Sequence, residues 1–152
     1  NPDVQFIWAG GFSFGRITDG YAALKKIVAN PPVNLKFPGI VTRQQIAELN
    51  NIADLFLLPS YNELFPMSVL EAFSCGTPVM LRDLDLYHSI IQGYYEPAKD
   101  VDEMQQKLDR LRNTPSRLAE LKMAAHTASQ QYSKAHLAKV WHRFYLEQAK
   151  EG

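Results

Sequence analysis

Two short apolar runs, separated by a loop and a helix-length segment, most constrain how this chain can fold. Residues 54–58 (DLFLL) and 77–81 (TPVML) have the length and composition of strands buried on both faces, and Pro78 stands at the start of the second. Between them, Pro66 suits the first turn of a helix and Gly76 suits its C-terminal cap. A strand, a loop, a helix and a strand in this order predict a parallel βαβ unit.

The first part of the chain repeats this alternation. Residues 4–9 (VQFIWA) end at Gly10 and Gly11, and residues 33–37 (VNLKF) end at a break formed by residues 38–39 (PG). The paired glycines suit either a plain turn or a close approach of the backbone to a ligand. Together with the two central runs, these segments predict an α/β fold with a parallel sheet flanked by helices.

Helix-length patterns account for most of the remaining chain. They cover residues 16–30, 42–52, 100–111, 114–128 and 133–150. Capping-box spacing, Thr42 with Gln45 and Asp100 with Glu103, opens two of them. Tyr94 and the tyrosine after it read as a brief final strand. The last helix carries an apolar stripe of Leu137, Val140, Trp141, Phe144 and Tyr145. Core packing is the role we favour for this stripe, over contact with a membrane or with a missing partner domain.

An even charge balance leaves only local basic patches to attract anionic partners. The chain has 16 basic and 16 acidic residues, so there is no global attraction to nucleic acid or to an anionic membrane surface. No apolar run approaches the roughly 20 residues that span a bilayer. The single cysteine, Cys75, is typical of a reducing compartment, and we favour packing over a reactive thiol as its role. The spacing of His126, His136 and His142 predicts no metal site.

The length of the chain is that of one domain. Its 152 residues, 46% of them hydrophobic, are enough to bury a single core. The chain enters a predicted strand almost at once, which we expect of a fragment whose preceding domain is missing.

Two carboxylates in the central segment are the strongest candidates for a binding site. Glu63 falls on the predicted loop and Glu71 inside the predicted helix, at the carboxyl edge of the sheet where α/β proteins bind ligands. The N–H groups of Met67, Ser68 and Val69 at the helix start can bind an anion. Two other roles stay open: Ser68 and Glu71 also have capping-box spacing, and Glu63 can be an ordinary exposed carboxylate.

The central segment resembles the signature of the retaining, nucleotide-sugar-dependent glycosyltransferases of family 4 (group 1), which have the two-domain GT-B architecture. Glu63 and Glu71 match the family's pattern of two glutamates with seven residues between them. Matches continue in PS at 59–60, LEA at 70–72 and GTPV at 76–79. The resemblance covers nearly the whole chain and implies that residues 1–152 are the Rossmann-like, C-terminal donor-binding domain. The sequence of residues 62–87 is similar to that of Gram-positive bacterial members that extend glucosyl-diacylglycerols.

The resemblance also implies a role for individual residues. Glu71 matches the glutamate that binds the ribose, and Glu63 matches the glutamate at the donor sugar, which we take as the catalytic residue. The remaining donor-binding residues that we predict are Phe65, Pro66, Met67, Ser68 and Val69 at the phosphates, Ile40 and Val41 beside the base, and Gly10 and Gly11. Asp83 and Asp85 suit either a substrate contact or a helix cap.

Two departures from the family limit what the chain can do alone. Pro66 stands where members usually have glycine, so one N–H is absent from the phosphate loop. The family's arginine and lysine pair, which neutralises the leaving diphosphate, has no match here and is expected ahead of Asn1. Without that pair leaving-group stabilisation is largely lost, so we expect the isolated fragment to be inactive.

The resemblance implies an enzyme that moves a hexose from UDP-glucose or UDP-galactose to an acceptor such as a glycolipid, without a cofactor or metal. Its expected partners are the nucleotide sugar, its own N-terminal domain and, through that domain, a membrane glycolipid. The expected location is the cytoplasm, peripheral on the inner face of the membrane. The alternatives are a nucleotide-sugar epimerase or hydrolase of GT-B-like fold and a non-catalytic interaction module.

Overall fold

The computed structural model describes residues 2–12, 15–18 and 20–151. The chain divides into two compact units, Asn1–Ile46 and Ala47–Gly152, each of which is described separately. Both are built from parallel strands and helices, which confirms the predicted fold class.

The first unit contains a two-stranded parallel sheet. Its elements are β1 (Phe6–Ala9), a 3₁₀ turn (Gly15–Ile17), α1 (Tyr21–Ala29), β2 (Leu35–Gly39) and the start of α2 (Arg43–Ile52). The predicted break at residues 38–39 is wrong, because β2 continues through Gly39. The register slips between Ile7 and Ala9, so that β2 holds one extra residue beside Pro38. Such a bulge accommodates a proline that cannot donate a ladder hydrogen bond.

The helix predicted over residues 16–30 is shorter in the structure. Gly20, with a φ of 67°, separates the 3₁₀ turn from α1, and residue 19 lies outside the described residues. The helical spacing of Ile17, Tyr21 and Leu24 predicts a shared apolar stripe, but Ile17 is 85% exposed. A left-handed residue cannot continue a right-handed helix, so the apolar spacing spans two separate elements.

Helix α2 begins at the predicted capping box. The Thr42 N–H donates to Gln45 Oε1 at 2.9 Å, and the Gln45 N–H donates to Thr42 Oγ1 at 3.2 Å. The spacing of Ile46, Leu49 and Ile52 predicts a buried stripe, but Ile52 is exposed, whereas Asn50 is buried. The Asn50 carbonyl accepts a hydrogen bond from Thr77 Oγ1 at 2.9 Å, and this bond satisfies the polar backbone at the buried position.

The second unit contains a three-stranded parallel sheet in the order β3-β4-β5. Its elements are β3 (Phe56–Leu58), α3 (Met67–Ser74), β4 (Val79–Arg82), α4 (Asp85–Ile90), β5 (Glu96–Ala98), α5 (Val101–Arg112), α6 (Pro115–Gln131) and α7 (Lys134–Glu151). The central strand β4 is fully buried as predicted, while β3 is only partly buried. The final strand lies just after the predicted Tyr94–95, and Gly76 (φ 69°) ends α3 as predicted.

Alternation of side chains along β4 divides the buried residues into two clusters. Val79 and Leu81 pack with α3 and α4, whereas Met80 points to the opposite face and packs with α5 and α6. Each fully buried side chain of this size contributes roughly 1.5–3 kcal/mol to stability. The sheet is therefore held from both faces, which fixes the positions of the loops at its ends.

The last three helices confirm the predicted starts but not the predicted packing. Asp100 Oδ1 accepts the Glu103 N–H at 2.8 Å, and Pro115 occupies the first turn of α6. The apolar stripe of α7 is 39–65% exposed, with Trp141 stacked near Phe144 and Tyr145. Core packing of this stripe within the chain is therefore wrong: amphipathic spacing predicts that a face will be covered, not what covers it.

Candidate functional site

The carboxyl ends of β3, β4 and β5 open at one edge of the second unit's sheet. All three strands are parallel, so the loops that follow them start at the same edge. The loop after β3 carries Glu63 and leads into α3, and the segment after β4 carries Asp83 and leads into α4. The structure thereby brings together the candidate residues between positions 63 and 71.

The start of α3 determines what Glu71 and Ser68 can do. Pro66 is the N-cap residue, with φ −74° and ψ 106°, and no side chain caps this helix. Ser68 is thus the second helical residue, so the capping-box alternative for Ser68 and Glu71 is wrong. Glu71 is the fifth residue of the helix, and its carboxylate is partly exposed.

The first turn of α3 presents backbone donors. Met67 and Ser68 N–H groups lie in the first turn, where helix geometry supplies no carbonyl acceptor. The Val69 N–H, in contrast, donates to the Pro66 carbonyl at 3.0 Å. Two of the three predicted donors can therefore meet an anion directly, and the helix dipole favours negative charge there.

The Glu63 loop forms an open pocket beside this helix start. A pocket of about 350 Å³ is lined by Asn62, Glu63, Leu64 and Phe65. Leu64 is 92% exposed, whereas the Phe65 ring lies 6.2 Å from that of Tyr132. Glu63 is half-buried, and its negative charge acts on Tyr87: burial first, and then Glu63, raise the Tyr87 pKa to about 12.

Arg82 anchors this loop, and the sequence patterns did not single it out. Its buried guanidinium donates from Nε to the Pro59 carbonyl and from Nη1 to the Lys99 carbonyl, both at 3.0 Å. The Tyr61 ring lies 3.9 Å from the guanidinium carbon. One side chain at the end of β4 therefore ties the loops after β3 and β5. In the sequence, a charged residue directly after the apolar run 79–81 was the feature that could have indicated this role for Arg82.

Asp83 pairs with a histidine instead of capping α4. Its Oδ1 lies 2.5 Å from His88 Nε2, and the N-cap of α4 is Leu84, without a side-chain cap. The capping role weighed for Asp83 and Asp85 is therefore wrong. Asp83 also contributes, after burial, to raising the Tyr95 pKa to about 12. A substrate contact by either aspartate stays a prediction.

The predicted glycines of the first unit lie beside Ile40. The Gly10 N–H donates to the Gly39 carbonyl at 2.9 Å, and a Cβ added at Gly11 would lie 2.9 Å from Ile40 Cγ1. Neither Gly10 nor Gly11 has a positive φ, so a turn conformation does not require them. A side chain at position 11 would therefore displace the Ile40 side chain. Ile40 is 75% exposed and Val41 is half-buried.

A family model described as glycosyl transferases group 1 matches residues 1–128. The chain belongs to the group 1 glycosyl transferases. This membership agrees with the parallel α/β architecture and with the two glutamates that flank the start of α3.

Two relatives of this group 1 glycosyl transferase are named for glycolipid synthesis. The chain is 52% identical to an alpha-galactosylglucosyldiacylglycerol synthase of Streptococcus pneumoniae, over 99% of this chain and 40% of that protein. It is 37% identical to a processive diacylglycerol alpha-glucosyltransferase of Acholeplasma laidlawii, over 57% of this chain and 25% of that protein. The chain thus spans well under half the length of these relatives.

Away from the carboxyl edge, this group 1 glycosyl transferase has a second cavity of about 250 Å³ at the amino ends of β3 and β4. Its lining includes Cys75, a half-buried free thiol whose Sγ lies 3.8 Å from the Ala47 carbonyl. Across the described ranges, no group of three histidine, cysteine or acidic side chains could hold a metal ion. Within those same ranges, no helix is both long and apolar enough to cross a bilayer.

Proposed function

We propose that residues 1–152 are the donor-binding domain of a retaining glycosyltransferase. The full-length enzyme would transfer a hexose from UDP-glucose or UDP-galactose to a glycolipid acceptor. The observation that carries this proposal is the start of α3, where two N–H groups without intrahelical acceptors stand between Glu63 on the loop and Glu71 in the helix. Family membership and the glycolipid enzymes among the relatives support it.

Each part of the donor has a matching group in this segment. The N–H groups of Met67 and Ser68, aided by the helix dipole, would bind the diphosphate without a side-chain cation from this segment. Glu71 makes no capping bond, so its carboxylate would accept hydrogen bonds from both ribose hydroxyls. Glu63 would contact the donor sugar from the pocket wall. Ile40 and Val41 keep the base-side role that the family resemblance implies, and Gly10 and Gly11 stay predicted donor-binding residues.

The leaving group and the acceptor call for residues outside this chain. A retaining transfer releases a diphosphate whose charge must be stabilised electrostatically, and we assign this to a basic pair elsewhere in the full-length protein. The remaining part of that protein would hold the acceptor and place the enzyme on the cytoplasmic face of the membrane. The exposed stripe of α7 supports contact with that part, because uncovered aromatic side chains of this extent mark interaction surfaces.

A binding and product assay on the full-length protein tests the proposal. We expect UDP-glucose or UDP-galactose to bind, and the hexose to appear on a glucosyl-diacylglycerol acceptor with retained anomeric configuration. Glu71→Gln, which keeps shape but loses charge, should weaken donor binding, and Glu48→Gln on the exposed face of α2 serves as a control. Sugar release or epimerisation without acceptor would instead indicate a hydrolase or epimerase. Absence of any nucleotide-sugar binding at millimolar concentration would indicate a non-catalytic module and refute the proposal.

A further inference from the structure

Tyr87 carries a hydroxyl that is buried without a hydrogen-bond partner among the described residues. The residue is 0% exposed, and its ring packs against that of Tyr95 with the centroids 5.7 Å apart. Buried hydroxyls are normally paired, because an unpaired one has lost its bonds to water and gained none. The free-energy cost of burying this hydroxyl would be offset if it gained a hydrogen-bond acceptor in another state of the protein, such as the ligand-bound state.

The topology places Tyr87 and the Glu63 loop at the same edge of the sheet. Tyr87 lies in α4, which follows β4, and Glu63 lies on the loop that follows β3. These strands are direct parallel neighbours, so both segments leave the sheet at the same edge. Glu63 is the carboxylate whose charge acts on the Tyr87 hydroxyl, while Asp83 acts on the neighbouring Tyr95.

The Tyr87 hydroxyl is suited to be the donor of a hydrogen bond. A tyrosine with a pKa of about 12 stays protonated at neutral pH and can therefore donate a hydrogen bond. A carboxylate is a strong acceptor for such a donor. Tyr87 is packed in the core, whereas Glu63 lies on the loop after β3, next to the exposed Leu64.

We propose that Tyr87 is a positioning residue, whose hydroxyl donates a hydrogen bond to the Glu63 carboxylate when a nucleotide sugar is bound. The fixed tyrosine would then hold the loop carboxylate at the donor sugar and restrict its rotamers during transfer. The inference rests on the proposed function, because it takes Glu63 as the residue at the donor sugar.

The test is a double-mutant cycle in the full-length enzyme, with Tyr87→Phe, Glu63→Ala and both changes together. Tyr87→Phe removes only the hydroxyl, and we expect kcat to fall roughly tenfold, with the donor KM changed less than about twofold. Because Tyr87 acts through Glu63, Tyr87→Phe should change kcat less than about twofold when Glu63 is already alanine. Tyr95→Phe is the matched control, since it removes a hydroxyl from the same ring pair, and we expect kcat near that of the wild type.

Thermal unfolding without donor separates positioning from structural support. An unpaired hydroxyl adds no native hydrogen bond, so Tyr87→Phe should melt at or above the wild-type temperature. A lowered melting temperature that accounts for the loss of kcat would overturn the inference, as would equal effects of Tyr87→Phe with and without Glu63. An active wild type with an unchanged Tyr87→Phe variant refutes the inference and leaves the proposed function standing. A wild type inactive with every nucleotide sugar overturns both.

Discussion

Replacing Arg82 with methionine tests whether one buried guanidinium holds the carboxyl-edge loops. Arg82 makes two hydrogen bonds of 3.0 Å to the Pro59 and Lys99 carbonyls and stacks on Tyr61. Bonds from a charged donor contribute about 1.5–3 kcal/mol each, and the stacking about 0.5–1 kcal/mol at an exposed ring. Part of this lost stability is regained in the methionine variant, because it buries no charge and so avoids the desolvation cost of the guanidinium. We therefore expect a net destabilisation of about 2–4 kcal/mol.

Urea denaturation of the chain measures this loss, with two further variants for comparison. Arg82→Lys keeps the charge, but its single ammonium cannot span both carbonyls, so we expect about half the loss. Arg110→Met, on the exposed face of α5, should change the unfolding free energy by less than about 0.5 kcal/mol. The reasoning is refuted if Arg82→Met is as mild as Arg110→Met. It is also refuted if Arg82→Lys and Arg82→Met are equally destabilising, because the two carbonyls would then not be what the guanidinium holds.

Three further predictions concern the site and the helix caps. Glu71→Ala in the full-length protein should weaken nucleotide-sugar binding by about 1–3 kcal/mol in calorimetry. The melting temperature should not fall, because Glu71 makes no helix-capping bond. A stability loss with unchanged binding would contradict its proposed role. Thr42→Ala should lower the unfolding free energy by about 1 kcal/mol in urea denaturation, since it removes the acceptor of the Gln45 N–H. Arg43→Ala, at an exposed position in the same turn, is the comparison. The pKa of Glu103 lies below its ordinary value of 4.5, mainly because the Lys99 N–H donates to its carboxylate. A carboxylate whose pKa is lowered by folding stabilises the fold above pH 4.5, and this stabilisation is lost as the pH falls through the pKa of the folded state. The difference in unfolding free energy between wild type and Glu103→Gln should therefore shrink in acid. A difference independent of pH would refute this.

Elements that depend on a few neighbouring residues could be predicted from the sequence. Thr42 with Gln45 and Asp100 at the start of α5 both form their expected caps, because capping joins residues only three positions apart. The final strand was predicted two residues before its actual position, because β5 depends on contacts with residues far away in the chain. Glu96 lies in β5 with its charge paired to Arg117 at 2.8 Å and to Lys107 at 3.4 Å. Glutamate and proline are uncommon in strands, so the sequence does not predict a strand at Glu96 and Pro97. The segment is a strand because it pairs with β4.

The family follows from the resemblance of sequence motifs, whereas the parallel α/β fold and the positions of Glu63 and Glu71 on a loop and a helix follow from local patterns in the sequence. Their physical basis is periodicity and turn chemistry, which act over less than about ten residues. The Arg82 bridge and the unpaired Tyr87 hydroxyl could not be read in this way. Each depends on which strands become neighbours, and so on contacts between residues far apart in the chain. That is why the sequence located the two glutamates, while the fold revealed the side chains that can hold one of them in place.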